Sequence, residues 1–371
     1  LIKTDGERLL GQDEIARYRR LKRELAALEN ARPEVPTALC VSEAGREAPE
    51  TFVLLRGDAH SKGDRVEPAF LTVLGGAPPV IPTPAPDART TGRRTVLADW
   101  IASPANPLTA RVLVNRVWQH HFGRGIVRSP SNFGVQGDRP THPELLDWLA
   151  AEFVAQGWRL RPLHRLIVTS NAYRMSSRPD QKALAADPRN DTFWRMDMRR
   201  LTAEELRDSI LMVSGNFNPK MYGPGVYPEI PPEVLATQSV PGKGWGHSSP
   251  EEQARRSVYV HVKRSLLLPI LDGFDLAETD RSTPARFSTT QPTQALMLLN
   301  SGFLHRQAGL FADRLRREAG DNPGAQVRRA LQLVSCREPT AAEVARGVAL
   351  IASLQSEHGL SADAARIAFA L

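Results

Sequence analysis

Cysteine is scarce, lysine is outnumbered and no apolar run is long. The 371-residue chain has two cysteines, Cys40 and Cys336, far apart in sequence. No C-x-x-C-H occurs, so the chain itself carries no covalently attached haem, and no Cys-based zinc cluster is present. Spacing alone gives no ground for pairing the two thiols. No stretch approaches the roughly 20 consecutive apolar residues of a membrane helix, which excludes a helical span. There is no phosphate loop, no dinucleotide fingerprint, no Gly-x-Ser-x-Gly elbow and no H-E-x-x-H. Esterase and oxidoreductase readings therefore have no positive support. The chain opens on Leu1 without Met or signal peptide and stops at Leu371 inside an Ala-rich helical pattern. We expect a piece cut from a longer protein, so a missing leader says nothing about location.

The net charge is +7, and of 48 basic residues 7 are Lys and 41 are Arg. The Arg residues are scattered among Asp and Glu, not gathered in a block, and no basic motif interleaved with aromatics appears. That pattern fits genome base composition better than a nucleic-acid partner. Hydrophobic content of 41% and charged content of 24% are those of a globular chain large enough for a sizeable core.

Three regions follow along the chain. Residues 1–34 read as a connector helix from a preceding domain: Ile15, Tyr18, Leu21, Leu25 and Leu28 recur at helical spacing between Gln12 and Ala31, and Pro33 and Pro36 end it. Residues 35–91 read as a short β-rich segment, with ALCVS, TFVLLR and EPAFLTVL as apolar runs, then a linker at Pro78, Pro79, Pro82, Pro84 and Pro86. The Arg56-Gly57-Asp58 triplet is read as a turn after a strand. Residues 92–371 read as a mainly helical core domain. Helices are expected over Thr95–Ala102 and Leu108–Phe122, then from Thr141 and from Pro162. Capping boxes are expected at Thr141/Glu144, Thr202/Glu205 and Thr340/Glu343. Asn216 to Pro250, rich in Gly, Pro and aromatics, is long for a passive loop. RRSVYVHVKR alternates, with Val258, Val260 and Val262 on one face and Tyr259, His261 and Lys263 on the other, and so reads as a half-buried strand. The expected fold is mainly α: a multi-helix domain with a small β element, preceded by the β-rich segment and the connector helix.

The blocks NPLTARVLVNRVWQHHFGRGIV, SPSNFGVQGDRPTHPELLDWLAAEF, LHRLIVTSNAYRMSS, RRLTAEELRDSILMVSG, RRSVYVHVKRSLLLPILDGFD and RFSTTQPTQALMLLNSGF occur in that order. They resemble the planctomycete-type domain of unknown function fifteen-fifty-three, over about Thr51 to Glu343. The resemblance implies an exported, extracytoplasmic protein, periplasmic or at the cell surface, in which this domain follows a c-type haem domain and a second uncharacterised domain. The haem-binding part is missing from this sequence. The cofactor expectation is none in this chain and haem c in a missing N-terminal domain, with other domains of the same protein as partners. The resemblance brings no established catalytic residues.

Three constellations carry candidate chemistry. Arg111, Asn115 and Gln119 recur every four residues, with Arg116 and His120 beside them. Such forks and amides can bind a carboxylate, a sulfate or sugar hydroxyls, or else tie down a neighbouring loop. The loop from Arg128 to Pro140 places Asn132 and Gln136 among glycines, as a sugar-lining loop or as an ordered connector. Asp272, Asp275, Asp280, Arg281 and Arg286 follow the expected strand. Paired carboxylates there can act as acid and base on a glycosidic bond, with Asp275 and Asp272 as the candidates, or alternate with Arg in a salt-bridged loop. His120, His121, His142 and His164 match no metal-ligand spacing, so no metal is expected.

These residues suggest a non-catalytic binding or scaffold module, with Arg111, Asn115, Arg116, Gln119, His120, Asn132, Tyr259, Lys263, Arg281 and Arg286 on its ligand-facing surface and polysaccharide among its possible ligands. The alternatives are a carbohydrate-directed hydrolase using Asp275 and a docking partner of the missing haem domain. The hydrolase requires two carboxyls about 5 to 10 Å apart in a cleft. Docking requires an apolar patch with a polar rim.

Overall fold

A computed structural model describes residues 2–31, 40–43, 45–75 and 77–371, with side chains from residue 11 onward. Its backbone contacts separate two compact units, Leu1–Asn106 and Pro107–Leu371.

The first unit opens with α1 (Ile2–Asn30), which breaks at Gly11, where φ is 73° and ψ 167°. A helix therefore covers the span expected from Gln12, but its stripe is mostly in solvent: Ile15 is buried while Tyr18, Leu21, Leu25 and Leu28 are exposed. The stop at Pro33 and Pro36 lies outside the described residues. β1 (Thr51–Leu54) pairs antiparallel with β2 (Lys62–Val66), in a register of Thr51 with Val66 and Leu54 with Lys62.

Apolar content misplaced the second strand. β2 is the polar run KGDRV, whereas Cys40–Val41 is irregular and EPAFLTVL holds a short 3-10 turn at Thr72–Leu74. The turn sets the pairing: Arg56 and Gly57 adopt positive φ, and the Asp58 carboxylate accepts from His60 N at 3.0 Å and Ser61 Oγ at 2.9 Å. Where a hairpin is largely exposed, burial imposes no alternation and the turn decides the register. α2 (Arg93–Ala102) closes the unit, with Phe70 stacked on Trp100 at 4.8 Å.

The second unit begins with α3 (Thr109–Phe122), α4 (Pro143–Ala155) and α5 (Leu160–Thr169). Their apolar faces meet in one cluster that includes Val114, Trp118, Phe122, Leu149, Phe153, Leu163 and Ile167. The capping box expected at Thr141 does not form: His142 is the N-cap and Pro143 occupies the first turn, while Thr141 N donates to Ile126 O at 3.0 Å. Pro143 is favoured at the first helical position and shifts the start by one residue.

After α6 (Gln181–Ala186), α7 (Ala203–Ser214) begins at the expected Thr202/Glu205 box. Short helices α8 (Pro232–Leu235), α9 (Pro250–Gln253) and α10 (Pro269–Asp272) punctuate the irregular region that follows. The unit ends in α11 (Pro292–Asn300), α12 (Gly302–Ala319), α13 (Pro323–Ser335), α14 (Ala341–Ser356) and α15 (Ala362–Ala370). The Thr340/Glu343 box starts α14 as expected. Gly347 lets α14 approach α13, since a Cβ there would lie 2.5 Å from Val327 Cγ1.

The strand expected at residues 255–264 is also corrected. Ser257–Tyr259 is a 3-10 turn, and Val260 makes a single bridge to Val226. Val260 is buried while Val258 and Val262 are exposed, so the three valines do not share a buried face. Tertiary anchors override the alternation: Asp208 Oδ1 accepts from both Ser257 N and Ser257 Oγ at 2.7 Å, which holds the chain in a turn. The fold is mainly α with one small two-stranded sheet among the described residues.

Candidate functional site

The polar stripe of α3 is engaged by the protein itself. Arg111 Nε donates to Asp147 Oδ1 at 2.6 Å and Arg111 Nη1 to Pro107 O at 2.5 Å. The Asp147 hydrogen bond raises the Arg111 pKa, and Arg111 in turn lowers that of Asp147. Asn115 is fully buried: its Nδ2 donates to Val127 O at 2.9 Å and its Oδ1 accepts from Val127 N at 2.8 Å. It closes the turn after α3 as a strand neighbour would, and Gly125 passes so close that a Cβ there would sit 2.6 Å from Asn115 Nδ2. Gln119 reaches Pro284 O at 3.2 Å and Arg116 reaches Ser131 Oγ at 3.4 Å, while His120 is exposed. Asn132 also turns inward on its own loop, its Oδ1 accepting from Gly134 N at 3.0 Å and its carbonyl from Ser129 Oγ at 2.8 Å.

Two of the four histidines form a pair. His121 Nε2 lies 2.8 Å from His164 Nδ1, with Tyr173 edge-on to His121, and burial together with the two neighbouring histidines lowers the His121 pKa. His142 contacts Thr141 Oγ1 at 3.0 Å. Among the described residues no three His, Cys, Asp or Glu side chains gather as a metal set.

The acidic candidates stand in different surroundings. Asp275, at a φ of 62°, accepts from Thr289 N and Thr289 Oγ1 at 2.9 Å and from Arg200 Nη2 at 2.5 Å. The Thr289 amide, the Thr289 hydroxyl and Arg200 hold its carboxyl below the ordinary Asp range against the opposing effect of burial. A carboxyl held by these donors is favoured in its ionised form. Asp272 is exposed on α10, Arg281 pairs with Glu278, and Arg286 forks onto Glu204 at 2.5 and 2.8 Å.

A concavity lies elsewhere. A cleft of about 1220 Å³ is lined from α7, the 216–234 segment, α9, α10, α11 and α12. Its walls carry Phe217, Phe303, Ile270, Met297 and Leu310 together with Pro219, Pro228, Pro231, Pro232, Pro250 and Pro269. Proline rings have fixed φ and offer no N–H, so this wall is stiff and apolar. Two buried arginines brace it. Arg207 donates to Arg255 O at 3.0 Å, Ser257 Oγ at 3.2 Å and Gln253 O at 2.5 Å, with its guanidinium 5.6 Å from the Phe303 ring centroid. Burial lowers its pKa to about 10, with Asp208 opposing, so it remains charged at neutral pH. Arg255 is fully buried, donates to Lys220 O, Tyr222 O and Glu252, and stacks 4.1 Å from the Tyr259 ring centroid. Tyr259 therefore serves as a brace: its hydroxyl also accepts from Tyr222 N at 2.8 Å.

Polar groups form the cleft rim, and most already have protein partners. Gln307 Oε1 accepts from Ser214 Oγ at 2.8 Å, Asn218 Nδ2 donates to Glu251 O at 3.0 Å, and Arg306 pairs with Glu229 at 3.1 Å. Glu233 and Glu251 are exposed and carry no ion pair among the described residues. The sequence singles out residues 216–250 as long for a passive loop, but not Arg207 or Arg255. The signal available was an Arg at an inward position of a capped helix, which is costly to bury without carbonyl partners.

No curated protein and no solved structure matches the chain. The chain belongs to the PSD1 family, proteins of unknown function (DUF1553), whose family model matches residues 93–351.

Proposed function

We propose that this domain is a non-catalytic scaffold module, and that its cleft takes an apolar segment bearing a basic residue from another domain or protein. The observation that carries the reading is the cleft itself, a stiff proline-rich wall within a polar rim, the arrangement of a docking surface. At about 1220 Å³ it exceeds the roughly 300 to 1,000 Å³ of small-molecule pockets. Glu233 and Glu251 supply uncompensated negative charge at the rim. Both stand in solvent, without the dry enclosure on which acid catalysis by a carboxyl depends. An exported location, and a partner that is another domain of the same cytochrome c-associated protein with haem c held outside this chain, are the expectations that the resemblance carries.

The test uses two peptide probes, an amphipathic Leu/Lys helix and its Leu/Glu counterpart, titrated against the whole chain. The Leu/Lys probe is expected to bind and the Leu/Glu probe to fail. Leu310→Gln is expected to weaken binding about tenfold, the effect of about 1.4 kcal/mol of lost apolar burial. Equal binding of both probes would remove the docking reading. Reducing ends released from a polysaccharide panel, and lost in Asp275→Asn, would replace it with hydrolysis.

A further inference from the structure

A second concavity, of about 550 Å³, is lined by Thr237, Gln238, Ser239, Val240, Lys243, Gly244, Lys263 and Ser265. We infer that this pocket binds an acidic saccharide, with Lys243 and Lys263 meeting the anionic group and the hydroxyls and amide around them meeting the sugar hydroxyls. The inference stands apart from the docking cleft and does not depend on it.

The charge comes first. Neither lysine forms an ion pair among the described residues, although most arginines of the second unit do. Lys263 Nζ donates to the Lys243 carbonyl, which leaves it further protons to donate, and the Lys243 ammonium has no protein partner among the described residues. Lys243 and Lys263 line the same pocket, and an oxyanion bound there would accept from both ammonium groups. Gly244 adopts a φ of 74°, and a Cβ there would stand 3.9 Å from Lys263 Nζ, so this turn runs its backbone beside the ammonium.

Neutral hydrogen-bonding groups surround the charges. Gln238 Nε2 is committed to Ser265 O at 2.7 Å, which aligns its Oε1 as an acceptor. The Ser239 and Ser265 hydroxyls have no hydrogen bond among the described residues. Two cations with adaptable hydroxyls and an amide suit a ligand that is both anionic and polyhydroxylated.

The pocket is also held in shape. Tyr227, Trp245 and His261 pack against one another, with centroids 4.8 Å apart for Tyr227 and His261 and 5.6 Å for Tyr227 and Trp245. Trp245 Nε1 donates to Pro228 O at 3.0 Å. Gly246 crosses Tyr227 so closely that a Cβ would lie 2.8 Å from the ring. This trio clamps the segment carrying Lys243 to the segment carrying Lys263, so little ordering entropy remains to be lost on binding.

The experiment is calorimetric titration of the whole chain with oligogalacturonate and a sulfated oligosaccharide, beside a neutral malto-oligosaccharide, oligoglutamate and inorganic sulfate. One or both acidic saccharides are expected to bind and the neutral one to fail. Lys243→Met, whose ammonium has no internal bond to lose, is expected to weaken binding about tenfold, and Lys243→Met with Lys263→Met to weaken it further. Unchanged affinity in the folded double variant would overturn the assignment. So would the failure of both acidic saccharides, or oligoglutamate or free sulfate binding as tightly as they do, since each removes the sugar from the recognition.

Discussion

Two parts of the second unit use polar residues in opposite ways. In α3–α5 and the loops around them, Arg111, Asn115, Gln119 and Asn132 are bound to Asp147, Val127, Pro284 and Gly134. Around residues 207–310, Arg207 and Arg255 are bound internally as well, but they brace an irregular segment that leaves a cleft and two exposed carboxylates free. A polar cluster in sequence thus marks a structural knot as readily as a site. What separates them is whether the donors are already used, because a buried unpaired donor or acceptor costs about 1–3 kcal/mol.

Four changes sharpen that contrast, in descending order of effect. Arg255→Met strands the Lys220 and Tyr222 carbonyls, leaves Glu252 with Lys220 as its remaining ion-pair partner, and should lower unfolding stability by about 3–5 kcal/mol in urea denaturation. A loss under about 1 kcal/mol would mean that the irregular region is not braced as described. Asn115→Ala leaves both polar groups of Val127 without partners and should lose about 2–3 kcal/mol, although α3 keeps its apolar face.

Acid should act next. Arg199 and the Thr202 cap lower the Glu205 pKa from 4.5 to about 2, so its contribution is complete above pH 4.5 and lost as pH falls towards 2. The Tm should decline across that window, and Glu205→Gln should flatten the decline, less than a buried pair would because the Arg199 bridge is solvent-screened. Smallest of all, Arg111→Ala should lose less than about 1 kcal/mol and leave Leu/Lys peptide affinity unchanged. A large loss of affinity would return the site to α3.

The helices were legible where local chemistry marks them. Thr202 with Glu205 and Thr340 with Glu343 form the boxes read from the sequence, and α3 spans Thr109–Phe122 where a helix over Leu108–Phe122 is expected. The errors share one cause. β2 is polar because an exposed hairpin is set by its turn, Thr141 lost its cap to Pro143, and Val258 to Val262 alternate without two neighbouring strands to receive them. In each case a neighbour absent from the local pattern decided the outcome.

The site was less legible still. Gly- and Pro-rich residues 216–250 drew notice for length, and Lys263 for its company, yet no pattern relates Lys243 to Lys263 or Pro219 to Phe303. The sequence by itself determined the helical class, the caps and the absence of a long apolar span, since these depend on neighbours within a few residues. Tertiary structure alone decided which polar groups were consumed and which remained free. Hydrogen bonds such as Asn115 to Val127 and Arg207 to Ser257 join residues that only the folded chain brings within 3.2 Å.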